Sequence, residues 1–186
     1  MYSLNELEEI VKNCNRCRLS QTRTNTVFGE GNEKSTIMFI GEGPGFNEDK
    51  TGKPFVGRAG QLFDKMLKAI DLTRQDIYIA NIIKCRAPNN RNPFEDECKS
   101  CIGFLRWQVK FIEPKIIVCL GAVSARNIID KDFSITKGRG IWHKRGKFNI
   151  MATYHPAALL RDENKKKDAW EDFKAIREMY DTLKQG

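Results

Sequence analysis

The sequence predicts an α/β fold: a central four-stranded, mostly parallel sheet within a three-layer sandwich. Four short apolar runs, "TIMFIG", "IYIAN", "KIIVCLG" and "FNIMATY", have the length and β-branched content of buried strands. Between them lie segments whose apolar residues recur at helical spacing. Strands alternating with helices make parallel pairs, because a parallel connection must cross over the sheet and a helix is the usual crossover.

Ser3 and Glu6 form an S-x-x-E capping box ahead of Leu4, Leu7, Ile10 and Val11, so a short helix is expected to end near Cys14. "TIMFIGEGPG" reads as a buried strand that breaks into a glycine loop. From Gly57, the residues Ala59, Leu62, Phe63, Met66, Leu67 and Ile70 mark one helical face. "IYIAN" is the second strand. Asn92, Pro93 and Glu95 are expected to open a helix with proline in its first turn, stopping before Pro114. "KIIVCLG" is the third strand and leads into a helix over 122–129. "FNIMATY" is the fourth. The tail places Trp170, Phe173, Ile176 and Tyr180 on one helical face. With 186 residues the chain suits one domain, taken as 1–186, able to bury roughly 70% of its unfolded surface.

No apolar run approaches the ~20 residues of a membrane span, and the acidic, amphipathic start is unlike a signal peptide. A cytoplasmic protein with reduced thiols is expected, with no membrane partner. The net charge of +8 suits an anionic partner such as nucleic acid.

In a parallel sheet, ligands bind beyond the carboxyl ends of the strands. "GEGPG" at 41–45, the residues after Asn81 and the segment after Tyr154 should therefore edge one crevice. The glycine loop lacks the order of a dinucleotide fingerprint and the lysine and serine of a phosphate-binding loop. Glu42, with glycine on both sides, suggests function more than a bare turn does. Phe55 in "TGKPFVGRAGQ" could stack on a flat base, although a hydrophobic staple onto the next helix explains it more simply. Asn81 offers a donor and an acceptor on one amide, though a turn-forming asparagine is the commoner case. His155, held extended by Pro156, is one of only two histidines and could donate to a developing anion. Leu159 and Leu160 are odd on an exposed loop unless buried or inserted into something, and Arg161 adds positive charge.

Cys14-x-x-Cys17 and Cys98-x-x-Cys101 are two knuckles of the kind that hold a structural zinc, so spacing alone selects those four. Cys119 lies inside an apolar strand as a core thiol. Cys85, in the polar "KCRAPNNRNP", is left over.

In this order, "C-x-x-C", "GEGPG", "TGKPFVGRAGQL", "NIIKCRAPNNRNP", "CIGFLRWQ", "ITKGRG" and "HPAALLR" resemble the family 4 uracil-DNA glycosylases from about Cys14 to Arg161. Each is weak alone; together and correctly spaced they are specific. The resemblance revises the metal assignment. It implies a 4Fe–4S cluster on Cys14, Cys17, Cys85 and Cys101, carried by segments 14–17 and 85–101, and leaves Cys98 without a role. It further implies a monofunctional glycosylase of base excision repair that flips deoxyuridine out of uracil-containing DNA and hydrolyses its N-glycosidic bond.

Carried onto this chain, the resemblance implies that Phe55 stacks on the flipped base and Asn81 reads its Watson–Crick edge. His155 bonds O2 as negative charge develops there. Glu42, Gly43 and Glu48 line the water and uracil site, with Glu42 favoured for the water. Leu159 fills the duplex gap, while Lys137, Arg139 and Arg161 meet phosphates. It also implies a monomer in a prokaryotic, nucleoid-associated setting, with a sliding clamp as a candidate further partner. The chain departs from the family pattern at Phe46, Asn47 and Ala87, none of which carries an implied catalytic role. It lacks the basic, histidine-bearing insertion of covalent uracil binders. The rivals are a non-catalytic uracil- or DNA-binding module on the same scaffold and a zinc-dependent structural or redox protein.

Overall fold

The computed structural model describes residues 3–185, so Met1, Tyr2 and Gly186 of the expected 1–186 domain lie outside the described residues. The four apolar runs form parallel strands β2 (Ile37–Gly41), β3 (Ile77–Asn81), β4 (Ile116–Leu120) and β6 (Phe148–Thr153). Two edge strands missing from the four-strand expectation complete the sheet: β1 (Glu30–Gly31) against β3 and β5 (His143–Arg145) against β6, both antiparallel. Among the described residues the sheet therefore has six strands in the order β1-β3-β2-β4-β6-β5. The edge strands were not legible because they are two and three residues long and mostly polar, without the apolar run that marks a buried strand. Short polar edges also limit pairing with other chains.

Among the described residues eight α-helices surround the sheet: α1 (Leu4–Lys12), α2 (Phe46–Thr51), α3 (Arg58–Ala69), α4 (Glu95–Ile112), α5 (Ala122–Ile128), α6 (Ile135–Gly138), α7 (Pro156–Arg161) and α8 (Lys165–Gln185). Because side chains alternate across a strand, each apolar run supplies both faces. Met38, Ile40, Ala80, Ile117, Cys119 and Ala152 pack beneath Leu7 and Val11 of α1, Phe104 and Leu105 of α4 and Ala125 of α5. Ile37, Phe39, Ile79, Val118 and Met151 pack against Phe63 and Leu67 of α3 and Phe173, Ile176 and Tyr180 of α8. Phe39 anchors this second layer, with its ring 5.1 Å from Phe63 and 5.9 Å from Phe173. The three layers are helix, sheet, helix.

The capping box at Ser3 forms as read, with Ser3 Oγ accepting the Glu6 N–H and Glu6 accepting the Ser3 N–H. Two helical details differ from expectation. Helix α4 begins at Glu95, with Phe94 as N-cap and Pro93 outside it. The start is set by Glu97, whose carboxylate accepts the Phe94 N–H at 2.8 Å and pairs with Arg91 at 2.7 Å. On α8 the buried stripe holds Ala169, Phe173, Ile176 and Tyr180, while Trp170 lies on the exposed side.

Phe55 sits in the loop between α2 and α3 with φ +53°, a left-handed conformation unfavourable for a side chain of this size. Several contacts impose it. Arg74 donates to the Pro54 carbonyl at 2.9 Å and also to the Phe55 carbonyl. Glu48 accepts the N–H groups of Val56 at 2.9 Å and Gly57 at 2.8 Å. Gly60 of α3 lies directly beneath, where a Cβ would come within 1.8 Å of the Phe55 carbonyl oxygen. Gly60→Ala is therefore expected to displace this loop and lower the melting temperature well beyond a surface glycine substitution such as Gly103→Ala, which meets nothing within 4 Å. Equal melting temperatures in calorimetry would contradict the tight approach.

Candidate active site

The parallel register brings the carboxyl ends of the strands level. Gly41 stands beside Asn81, and Leu120 beside Thr153, with β2 and β4 adjacent. Neighbouring strands are ~4.8 Å apart, so Asn81 and the residues following Thr153 face each other over roughly three strand spacings. The ring of Phe55 reaches into this gap. A Cβ on Gly41 would lie 2.4 Å from Asn81 Oδ1 and 2.9 Å from Phe55 Cζ, so the absent side chain at 41 is what admits both groups.

Asn81 is 2% exposed, and its Oδ1 has no hydrogen-bond partner among the described residues. A buried acceptor without a donor costs ~1–3 kcal/mol, so its retention points to a ligand donor. His155 stands at the N-cap of α7, where Nδ1 accepts the Ala157 N–H at 3.1 Å. That bond puts the proton of the neutral ring on Nε2, leaving Nε2–H as a donor. Burial pushes the His155 pKa down to about 4, and the positive charge of Arg161 lowers it further, with Glu48 opposing. The imidazole is thus neutral at physiological pH. Its ring stacks on Phe55, with centroids 5.5 Å apart and planes 28° apart. Gly121 makes room, since a Cβ there would come within 3.0 Å of His155 Cβ.

Glu42 follows β2. Burial raises its pKa and the charge of Arg161 opposes the rise, while no described donor hydrogen-bonds its carboxylate. Gly43 lies against Ile83, where a Cβ would be 2.5 Å from Cγ1. Glu48 is engaged differently from Glu42: its carboxylate holds the loop that carries Phe55. Phe55 itself is buried against Phe63 and His155, so it serves the staple role as well as walling the crevice.

Two expected DNA contacts change. Leu159 is 1% exposed and packs with Tyr154 and Ala169, whereas Leu160 is 41% exposed. Consecutive helical residues point ~100° apart, so only one of this pair can face outward, and it is Leu160. Arg139 grips the buried Asp172 at 3.0 Å and the Asp168 carbonyl at 2.7 Å. Thr153 Oγ1 donates to the same Asp172 at 2.6 Å. This guanidinium fastens α8 to the end of β6 and is not free for a phosphate. Lys137 and Arg161 are exposed.

The cysteines separate in space. Cys14, Cys17, Cys85 and Cys101 line one cavity with Arg23, Lys84 and Phe104, and Cys98 is not among its lining residues. Cys98 and Cys101 both lie on α4, three residues apart, and only Cys101 faces the cavity. Among the described residues no group of Cys, His, Asp or Glu closes on a common point as the ligands of a single ion must. Burial raises the thiol of Cys85 and pushes that of Cys101 up to about 12. Arg23 donates to Cys85 Sγ at 3.3 Å and the Lys84 N–H to Cys101 Sγ at 3.3 Å, both favouring thiolate. Cys119 is fully buried in the sheet.

Sequence reasoning missed Arg74, Lys84 and Gly121. Only Lys84 left a signal, a lysine closing the apolar run "NIIK".

A family model described as the uracil DNA glycosylase superfamily matches residues 28–174. The type-4 uracil-DNA glycosylase of Sulfurisphaera tokodaii is 49% identical over 194 residues, covering 100% of this chain and 88% of that protein. That of Thermotoga maritima is 48% identical, covering 88% of each. That of Archaeoglobus fulgidus is 43% identical, covering 96% of this chain and 94% of that protein.

The neutrality of His155 is directly measurable. NMR titration of the folded protein should give an imidazole midpoint near 4 instead of 6.5. The unfolded chain then binds a proton that the folded chain refuses, so His155 makes stability fall as pH drops from 6.5 towards 4. His155→Asn should flatten that part of the stability profile. A midpoint near 6.5 in the wild type would refute the burial argument.

Proposed function

Since the chain belongs to the uracil DNA glycosylase superfamily, within its type-4 branch, we propose that it removes uracil from DNA through Asn81, His155, Phe55 and Glu42. The buried, unpartnered Oδ1 of Asn81 carries this reading. Uracil presents an N3–H donor beside the O4 acceptor, so Asn81 Oδ1 accepts from N3–H while its amide donates to O4. Cytosine presents the opposite pattern, which would leave two buried polar groups unpaired, and is rejected on that account.

The base must leave the stack to reach this depth, at a cost of a few kcal/mol. Phe55 gives the flat wall on which it rests, held by Glu48 and Arg74. As the glycosidic bond breaks, electrons move onto the base and charge grows on O2. The neutral His155, with its proton fixed on Nε2, donates there. A neutral donor fits an anion that must later depart. Glu42, with its raised pKa, orients and deprotonates the water that attacks C1′. Leu160 fills the gap in the duplex, and Lys137 and Arg161 meet phosphates.

The four thiols of the cysteine cavity fit a 4Fe–4S cluster. An all-thiolate donor set suits iron–sulfur ligation. Cys14, Cys17, Cys85 and Cys101 would hold it and pin α1, the segment after β3 and α4 together. Its role there is structural.

Uracil-containing oligonucleotides treated with the enzyme and then alkali should break at uracil. Asn81→Ala and His155→Ala should fold and lose excision by at least about 100-fold. DNA binding without strand breaks would identify a non-catalytic module. Leu160→Ala should slow excision from duplex more than from single strands, whereas Leu159→Ala should cost ~2–4 kcal/mol of stability. Cys85→Ala should lose iron and Cys98→Ala should retain it. Equal iron in both would reject the ligand set.

A further inference from the structure

Lys84 is 1% exposed, with its ammonium inside the protein between the uracil-reading strand and the cysteine cavity. Nζ donates to the Asn81 carbonyl at 3.0 Å and to Gln108 Oε1 at 2.6 Å. Gln108, also buried, is oriented by its Nε2 donating to the Phe28 carbonyl at 2.9 Å. The Lys84 backbone carbonyl accepts the Val27 N–H at 2.8 Å, so both ends of the residue are fixed. Its backbone N–H meets Cys101 Sγ, and the next residue is Cys85.

Among the described residues its partners are the Asn81 carbonyl and Gln108, and no carboxylate pairs with this ammonium. An unpaired buried charge costs several kcal/mol, and a protein retains one only where an opposite charge or a task requires it. The opposite charge is supplied by the cysteines when they are thiolates. The task lies at Asn81. Its carbonyl sits at the end of β3, and the Lys84 side chain closes back onto it across three residues. This tether fixes the peptide from which the Asn81 amide projects.

We propose that Lys84 is a positioning residue that joins the two centres: its ammonium holds the Asn81 backbone for base reading and supplies the buried positive charge balancing the thiolate-bound cluster. The cluster half rests on the ligand reading given above; the Asn81 half does not. Removing the charge stabilises the more oxidised cluster and lowers its midpoint potential, while loosening Asn81 slows the chemical step more than it weakens DNA binding.

The test compares purified wild type with Lys84→Met and Gln108→Glu. Gln108→Glu keeps an acceptor for Nζ and sets a carboxylate against the charge. Iron content, melting temperature, cluster midpoint potential on an electrode, single-turnover excision and DNA affinity are measured for each. Lys84→Met should show a lower potential and roughly tenfold slower single-turnover excision, with DNA affinity changed less than twofold. Gln108→Glu should lower the potential while keeping more of the excision rate. Folded, iron-loaded Lys84→Met with wild-type potential and rate would overturn the proposal. If Lys84→Met does not fold, an unchanged potential in Gln108→Glu overturns the charge role and a lowered one supports it. Wild type without iron would defeat the cluster reading alone, since excision by Lys84→Met against DNA affinity still decides the Asn81 tether.

Discussion

The parallel register of four buried strands is the constraint on which the rest of this protein depends. Because β3, β2, β4 and β6 run in the same direction and end level, Asn81, Gly41 and the Tyr154–His155 segment emerge on one edge. The strands are apolar on both faces, so slipping one by a residue would exchange the side chains packed against the two helical layers. The core holds the register, and the register positions the site.

On that edge, the separation between the Asn81 amide and the His155 imidazole is filled by one strained residue. Phe55 adopts a left-handed backbone that its own preferences oppose, and Arg74, Glu48 and Gly60 hold it there. Absent side chains matter as much as present ones. Gly41 admits Asn81 and Phe55, and Gly121 admits His155. Polar groups are treated in two ways. Asp172, Arg139 and Thr153 satisfy one another and fasten α8 to β6. Asn81 Oδ1 has no partner among the described residues, and the proposed function rests on that open valence.

The two proposed centres are neighbours through a single chain segment. Asn81, the proposed base reader, stands at one end of "NIIKC" and Cys85 ends the same stretch, with Lys84 bonding back to the Asn81 carbonyl. On the proposed reading, a cofactor site four residues from the substrate reader would affect it mechanically, whether or not electrons move.

By itself the sequence determined the α/β class, the four core strands, the levelled crevice and, through ordered motifs, the family. Those features depend on apolar periodicity and on glycines and prolines, which act locally. The six-strand count escaped it because polar edge strands carry no such signal. Tertiary structure alone decided which of Leu159 and Leu160 faces outward, that Arg139 is consumed by Asp172, and that Glu48 clamps a loop. It also gathered Cys85 with Cys14, Cys17 and Cys101 and left Cys98 aside. Each of these turns on the direction of a side chain relative to a distant element, and spacing along one chain does not encode that direction.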